Sequence, residues 1–228
     1  MKIAILGTGM VGRTIAVKLS QLGHKVTIGT RDTKATLSSE KGDAYGNPPF
    51  KDWEKGHPGI GLETFKDAAF GAELIFNCTS GMASLDVLKT VGKESLNGKI
   101  LIDIANPLDF SRGMPPSLNP VNIDSLGEQI QRQLPNVKVV KTLNTMNATL
   151  MVEPSKVKGD HNVFVCGNDE GARKKTKEIL NSFGWSDSQI IDLGDITAAR
   201  GTEMLLPVWL RIMGTLGTAE FNFHIQKN

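Results

Sequence analysis

The tightest constraint on this chain lies at its start, where a short apolar run, Lys2-Ile3-Ala4-Ile5-Leu6, gives way at once to Gly7-Thr8-Gly9-Met10-Val11-Gly12. Beyond it, Arg13-Thr14-Ile15-Ala16-Val17-Lys18-Leu19 sets its apolar positions at helical spacing. The order is strand, glycine turn, helix. Each glycine has its own task in such a unit: Gly7 permits the tight turn, Gly9 lets backbone approach a pyrophosphate, and Gly12 lets helix and strand pack closely. The helix N-terminus adds unpaired N–H groups and a positive dipole end. A dinucleotide site is the expectation.

The next strand, Lys25-Val26-Thr27-Ile28-Gly29, ends where an NAD-binding unit would place an acidic residue for the ribose hydroxyls. Thr30-Arg31 stands there instead. A hydroxyl and a guanidinium can hydrogen-bond the 2′-phosphate that a carboxylate would repel, so NADP is the expected cofactor. Asp32, one residue on, would reverse that preference if it rather than Arg31 faced the ribose.

Leu74-Ile75-Phe76-Asn77 reads as a buried strand ending in Cys78-Thr79-Ser80-Gly81, and Ile100 to Ile104 as another ending in Ala105-Asn106-Pro107. Ligands of open parallel sheets bind at the carboxyl ends of strands, which puts Asn77, Cys78 and Thr79 against the ribose or nicotinamide. Nothing near Cys78 supplies a base, so it reads as a small buried residue rather than a nucleophile. Helices are expected over 33–40, 65–70, 84–91 and 125–134, and a strand over 138–142 leads into Leu143-Asn144-Thr145-Met146-Asn147. Between them, glycine and proline density makes 42–49 a loop that Trp53, His57 and Pro58 extend, either as a lid over the cofactor or as a surface insertion packed by Tyr45 and Trp53.

A strand over 162–167, a helix over 170–183 and a strand over 190–193 follow. From Ala198 to Phe223 the chain is rich in Leu, Met, Trp and Gly, predicting one or two largely buried helices broken or kinked near Pro207 and Gly214. The expected fold is α/β: a Rossmann doubly wound, mainly parallel sheet with a small C-terminal α/β extension. Residues 1–142 form the NADP-binding domain, and 143–228 complete an acceptor cleft. The stripe Leu205, Leu206, Trp209 and Met213 is too apolar for an exposed helix, so it packs on the end of the sheet and helps form a homodimer.

A net charge of +2 gives no general attraction to nucleic acid or membrane, and no run reaches the roughly 18 apolar residues of a span. The glycine turn comes too early to leave room for a signal peptide, so a cytoplasmic protein is expected. Cys78 and Cys166 form no close motif, and the four histidines are scattered, so neither a bridge nor a metal site is expected.

Taken together, Gly7 to Gly12, Ile28-Gly29-Thr30-Arg31, Lys141-Thr142-Leu143-Asn144-Thr145-Met146 and Asp192-Leu193-Gly194-Asp195 with its apolar tail resemble the NADPH-dependent F420 reductase family. That family is related to the cytosolic ferric-reductase domains of the STEAP proteins, and the resemblance runs the length of the chain. It implies that Thr8, Gly9, Met10 and Val11 hold the pyrophosphate, that Thr30 and Arg31 hold the 2′-phosphate, and that Cys78, Ala105 and Asn144 line the nicotinamide side. It also implies hydride transfer between NADP(H) and a flat, diffusible acceptor, coenzyme F420 or a free flavin. The loop from Lys41 to Gly61 is longer than the family's compact form.

With one pyrophosphate turn only, the second ring must bind between the carboxyl edge and the C-terminal segment, against Asn106, Met146, Pro207 and Trp209. No Lys-Tyr or His-Asp constellation for proton transfer is visible, so no catalytic acid or base is named. Two other functions fit the same chain. One is a carbonyl or imine reductase, with His161 or Lys141 as proton donor; the other is a non-catalytic NADP(H) sensor using the tail from Ala198 as its interaction surface.

Overall fold

The computed structural model describes residues 1–42 and 46–227. Tyr45, expected to pack the long loop, lies outside the described residues. Strand β1 (Lys2–Leu6), helix α1 (Met10–Gln21) and strand β2 (Lys25–Thr30) come first, then helices α2 (Thr33–Ser38) and α3 (Phe50–Lys55) and the edge strand β3 (Gly61–Thr64). Next are α4 (Phe65–Phe70), β4 (Leu74–Asn77), α5 (Gly81–Val91), α6 (Lys93–Leu96) and β5 (Ile100–Asp103). A small hairpin, β6 (Leu108–Asp109) with β7 (Ser117–Leu118), precedes α7 (Leu126–Gln133), β8 (Lys138–Thr142) and α8 (Ala148–Val152). The chain closes with β9 (Val163–Cys166), α9 (Glu170–Phe183), β10 (Ile190–Asp192) and α10 (Ala199–Leu216).

Among the described residues, eight strands form one sheet in the order β10-β9-β8-β5-β4-β1-β2-β3. The six from β3 to β8 run parallel, and β9 joins β8 antiparallel, with β10 parallel to β9. The C-terminal segment therefore extends the same sheet. Strands buried on both faces read as continuous apolar runs, which is why β4 and β9 are entirely buried. One core lies under α1, α8 and α9; the other lies under α4, α5 and α7. Register aligns Leu6, Asn77, Asp103, Lys141 and Cys166 in one row at the carboxyl edge of β1, β4, β5 and β8.

Two expectations need correction. The stretch after Pro49 is helix α3, because Phe50 is buried and Trp53 packs on the core beside it, outweighing the breakers around them. The tail is one unbroken helix through Pro207 and Gly214, and it is not largely buried: Ala199, Thr202, Glu203, Leu206 and Trp209 face inward, while Met204, Val208 and Leu216 are exposed. Pro207 cannot donate to the Glu203 carbonyl, but the helix continues across that missing bond, with buried residues on both sides of it.

Candidate active site

β2 and β3 lie on one side of β1, and β4, β5 and β8 on the other, so the strand order reverses between β1 and β4. Ligands of such sheets sit in the crevice at that switch point. The glycine turn occupies it. Gly7 has φ +121°, and a Cβ there would stand 2.7 Å from the Cys78 carbonyl oxygen; a Cβ on Gly12 would overlap the Gly7 carbonyl. Gly9 differs: among the described residues a Cβ would meet no atom within 4 Å. Gly9 caps α1 without a side-chain hydrogen bond, and the first turn holds no acidic residue. The N–H groups of Met10 and Val11 thus open onto free space beside Thr8, a cradle that fits a dinucleotide pyrophosphate.

At the end of β2, Thr30 is buried and its hydroxyl lies 2.8 Å from that of Thr36, while Arg31 is exposed. Asp32 caps α2, accepting from the Ala35 N–H at 2.9 Å. Its carboxylate thereby has a structural partner, which leaves Arg31 as the charged group at the strand end.

Sequence reasoning missed Arg13. Its side chain is buried on the first turn of α1, donating from Nε to the Thr8 carbonyl at 2.8 Å and from a terminal nitrogen to the Pro48 carbonyl at 2.7 Å. Its guanidinium lies over the rings of Phe50 and Trp53, 5.3 and 5.7 Å from their centroids. Arg13 thus ties the glycine turn to α3. No local spacing announces such a tie, because its partners lie beyond α2.

The carboxyl ends of β4, β5 and β8 form the other wall. Asn77 is fully buried; its amide donates to Ser84 Oγ (3.0 Å) and Asp103 Oδ1 (2.8 Å), and its carbonyl accepts from Thr79 Oγ1 (2.7 Å). Cys78 is half-buried between them, and burial, with the Asp103 carboxylate second, pushes its thiol far above the ordinary range. Asn106 and Asn144 exchange bonds: Asn106 Nδ2 donates to the Asn144 carbonyl at 2.8 Å, and Asn144 Nδ2 to Asn106 Oδ1 at 3.0 Å. Leu143, at φ 62°, takes the left-handed conformation that ends β8 and swings Asn144 into this contact. Ala105, Asn144 and Met146 are buried in the same wall.

Both side chains weighed as proton donors are locked in place. His161 is buried, with Nε2 3.0 Å from the Pro154 carbonyl, Nδ1 3.0 Å from Asn222 Nδ2, and its ring edge-on to Trp185. Lys141 is wholly enclosed between Asp103 and Glu203, 2.8 Å from each; burial pulls its pKa down, but the two carboxylates outweigh it and hold it above its ordinary value. Glu203, another residue that sequence reasoning missed, arrives from α10.

Of the C-terminal residues expected at the cleft, Trp209 is buried and stacked on Phe221 at 5.3 Å, and Pro207 is half-buried on the same helix. The chain after α10 folds back to the start of β9, where Asn162 donates to the Phe223 carbonyl and its Oδ1 accepts from Ile225. Among the described residues no cluster of three or more His, Cys, Asp or Glu could hold a metal ion, and no helix is long and apolar enough to cross a membrane.

A family model described as NADP oxidoreductase, coenzyme F420-dependent, matches residues 2–107. The F420-dependent NADP reductase of Methanocaldococcus jannaschii is 33% identical over 213 residues, covering 91% of this chain and 90% of that protein. A crystal structure of a putative F420-dependent NADP reductase from Arthrobacter sp. FB24 is 60% identical, covers all of both chains and superposes with a TM-score of 0.94. The metalloreductase STEAP3 of Rattus norvegicus is 27% identical over 91% of this chain, which spans only 38% of that longer protein. With the open glycine turn, the Thr30-Arg31 strand end and this full-length similarity, the chain belongs to the F420-dependent NADP reductase family of NADP oxidoreductases.

Proposed function

We propose that this protein transfers hydride between NADP(H) and coenzyme F420, a diffusible deazaflavin that docks at the carboxyl edge of the sheet. The observation that carries the proposal is the state of the two candidate proton donors: His161 and Lys141 each have their polar atoms committed to protein partners. Reduction of a carbonyl or imine needs a proton delivered to the reacting group, whereas hydride added to a deazaflavin carbon leaves an anion delocalised over the ring that takes its proton from water, so the transfer depends on proximity and orientation. Thr8 to Gly12 would hold the pyrophosphate, Thr30 and Arg31 the 2′-phosphate, and Cys78, Thr79, Ala105 and Asn144 the nicotinamide. Asn106, Met146, Pro207 and Trp209 would border the acceptor ring. The exposed apolar residues Met204, Val208 and Leu216 on α10 support pairing of two copies through that helix.

The test is to supply deuterated NADPH with F420, FMN or a cyclic imine in turn. Deuterium in reduced F420 is the expected result. Bleaching of FMN at the expense of NADPH, with no deuterium in F420, would replace the acceptor, and deuterium only in the amine would overturn the mechanism.

A further inference from the structure

We infer that the buried chain Asp103–Lys141–Glu203 is the positioning device that fixes the nicotinamide wall, with Lys141 as its pivot. The inference rests on the oxidoreductase function proposed above. All three side chains are 2% exposed or less. Lys141 Nζ donates to Asp103 Oδ2 and Glu203 Oε1, each at 2.8 Å, and also to the Ala105 carbonyl. The N–H of the same Ala105 donates to Asp103 Oδ1 at 3.3 Å. Both backbone polar groups of one wall residue are therefore gripped by a single ion pair. The next residue, Asn106, is the one cross-bonded to Asn144.

The grip extends in two directions. Asp103 Oδ1 also accepts from Asn77, whose carbonyl orients the Thr79 hydroxyl, so the β4 and β5 walls share one anchor. Glu203 accepts from the N–H groups of Leu126 (2.9 Å) and Gly127 (3.1 Å), which ties α7 and α10 to the same lysine. Stability alone is a poor reason for this arrangement: well-packed apolar residues commonly match or exceed a buried ion pair, because desolvation offsets the Coulomb gain. What such a cluster does supply is a fixed geometry. Where no proton is moved by a side chain, geometry is what the protein contributes, and an ångström of misplacement can cost about 10²-fold in rate.

The test compares wild type with Lys141→Met and with the double variant Asp103→Asn/Lys141→Met, which avoids leaving Asp103 as an unpaired buried charge. Three quantities are measured: NADPH affinity by fluorescence titration, nicotinamide orientation in bound NADP⁺ from NOEs between ring and ribose protons, and single-turnover deuteride transfer to F420. Affinity should stay near wild type, since the phosphates bind at Gly9 and Arg31. The single ring orientation should become a mixture, transfer should slow by about 10²-fold, and deuteride should be delivered from both faces of the nicotinamide. Unchanged orientation and facial fidelity in either folded variant would overturn the inference. So would a loss of affinity, thermal stability and rate in parallel. If wild type holds one orientation that the variants lose, yet passes no hydride to F420, the proposed function fails and the positioning device stands.

Discussion

The two walls of the crevice are built on opposite principles. At the β1–α1 turn, among the described residues, Gly9 faces open space, the first N–H groups of α1 have no side-chain cap, and Arg31 stands exposed at the end of β2. At the ends of β4, β5 and β8 the polar side chains are paired inside the protein, from Thr79 through Asn77 and Asp103 to Lys141 and Glu203. Unpaired donors give affinity for an anionic ligand, because the ligand supplies the missing acceptor. Paired groups give shape. On the proposed function, one wall would be completed by the cofactor's phosphates, and the other would hold still behind its ring.

The sharpest way to break this contrast lies within the turn itself. Gly12→Ala drives a methyl group into the Gly7 carbonyl, between helix and strand, and should destabilise the protein by about 1–3 kcal/mol. Gly9→Ala places the same methyl group where no atom of the described residues lies within 4 Å. Its thermal midpoint should stay close to wild type while NADPH affinity falls, since the methyl group would occupy the approach proposed for the pyrophosphate. Calorimetry with and without NADPH separates the two. If Gly9→Ala unfolds as readily as Gly12→Ala, the open cradle is a structural turn instead.

A smaller effect is expected at the 2′-phosphate. A charge-assisted hydrogen bond is worth about 1.5–3 kcal/mol, so Arg31→Ala should weaken NADPH binding by about one to two orders of magnitude and leave NADH nearly unchanged. Asp32→Ala should instead lower stability through loss of the α2 cap, without favouring either cofactor. Equal losses of NADPH and NADH affinity on removing Arg31 would show that Arg31 is merely structural.

How far this contrast is legible in sequence depends on how far apart the partners lie. The strand–glycine–helix order, the parallel strands and the Thr30-Arg31 ending are local patterns, and each is visible in a few consecutive residues. Asp32-Thr33-Lys34-Ala35 is also local: an aspartate before a short helix is an N-cap by type. The paired wall is not local. Asp103 meets Lys141 because β5 and β8 are neighbours in register, and Glu203 meets Lys141 only after α10 has docked. Arg13 is hidden for the same reason, since Pro48, Phe50 and Trp53 reach it across α2. The unbroken α10 shows the converse: Pro207 is a strong local signal that burial of Leu206 and Trp209 overrides.

Acid should reach the paired side through a second link between α7 and α10. Arg200 donates to both oxygens of Glu128, at 2.8 and 2.6 Å, and that bond, ahead of the opposing burial and the help of Ser125, holds the Glu128 carboxyl below its ordinary 4.5. A depressed carboxyl stabilises the fold above its unfolded value, and that contribution disappears as pH falls through the lower folded value. The stability gap between wild type and Glu128→Gln in urea should therefore be constant from neutral pH down to about 4.5 and close below it. A gap that instead closed on the alkaline side would contradict the assignment.

The smallest effect should come from the residue that most invites a chemical role. Cys78 sits at the meeting point of the two walls, its carbonyl against Gly7 and its neighbours in the Asn77–Thr79 network. A thiol serves as a nucleophile only as thiolate, and burial, with Asp103 behind it, keeps this one protonated at any physiological pH. The hydride exchange proposed above has no use for it. Cys78→Ala should accordingly change deuteride transfer less than any substitution in the paired wall, and iodoacetamide at pH 8 should leave wild-type turnover intact. Rapid inactivation by the alkylating agent, prevented by bound NADPH and absent in Cys78→Ala, would place a reactive thiolate at the nicotinamide. The paired wall would then hold a covalent catalyst, and the division between a wall that binds and a wall that only positions would fail.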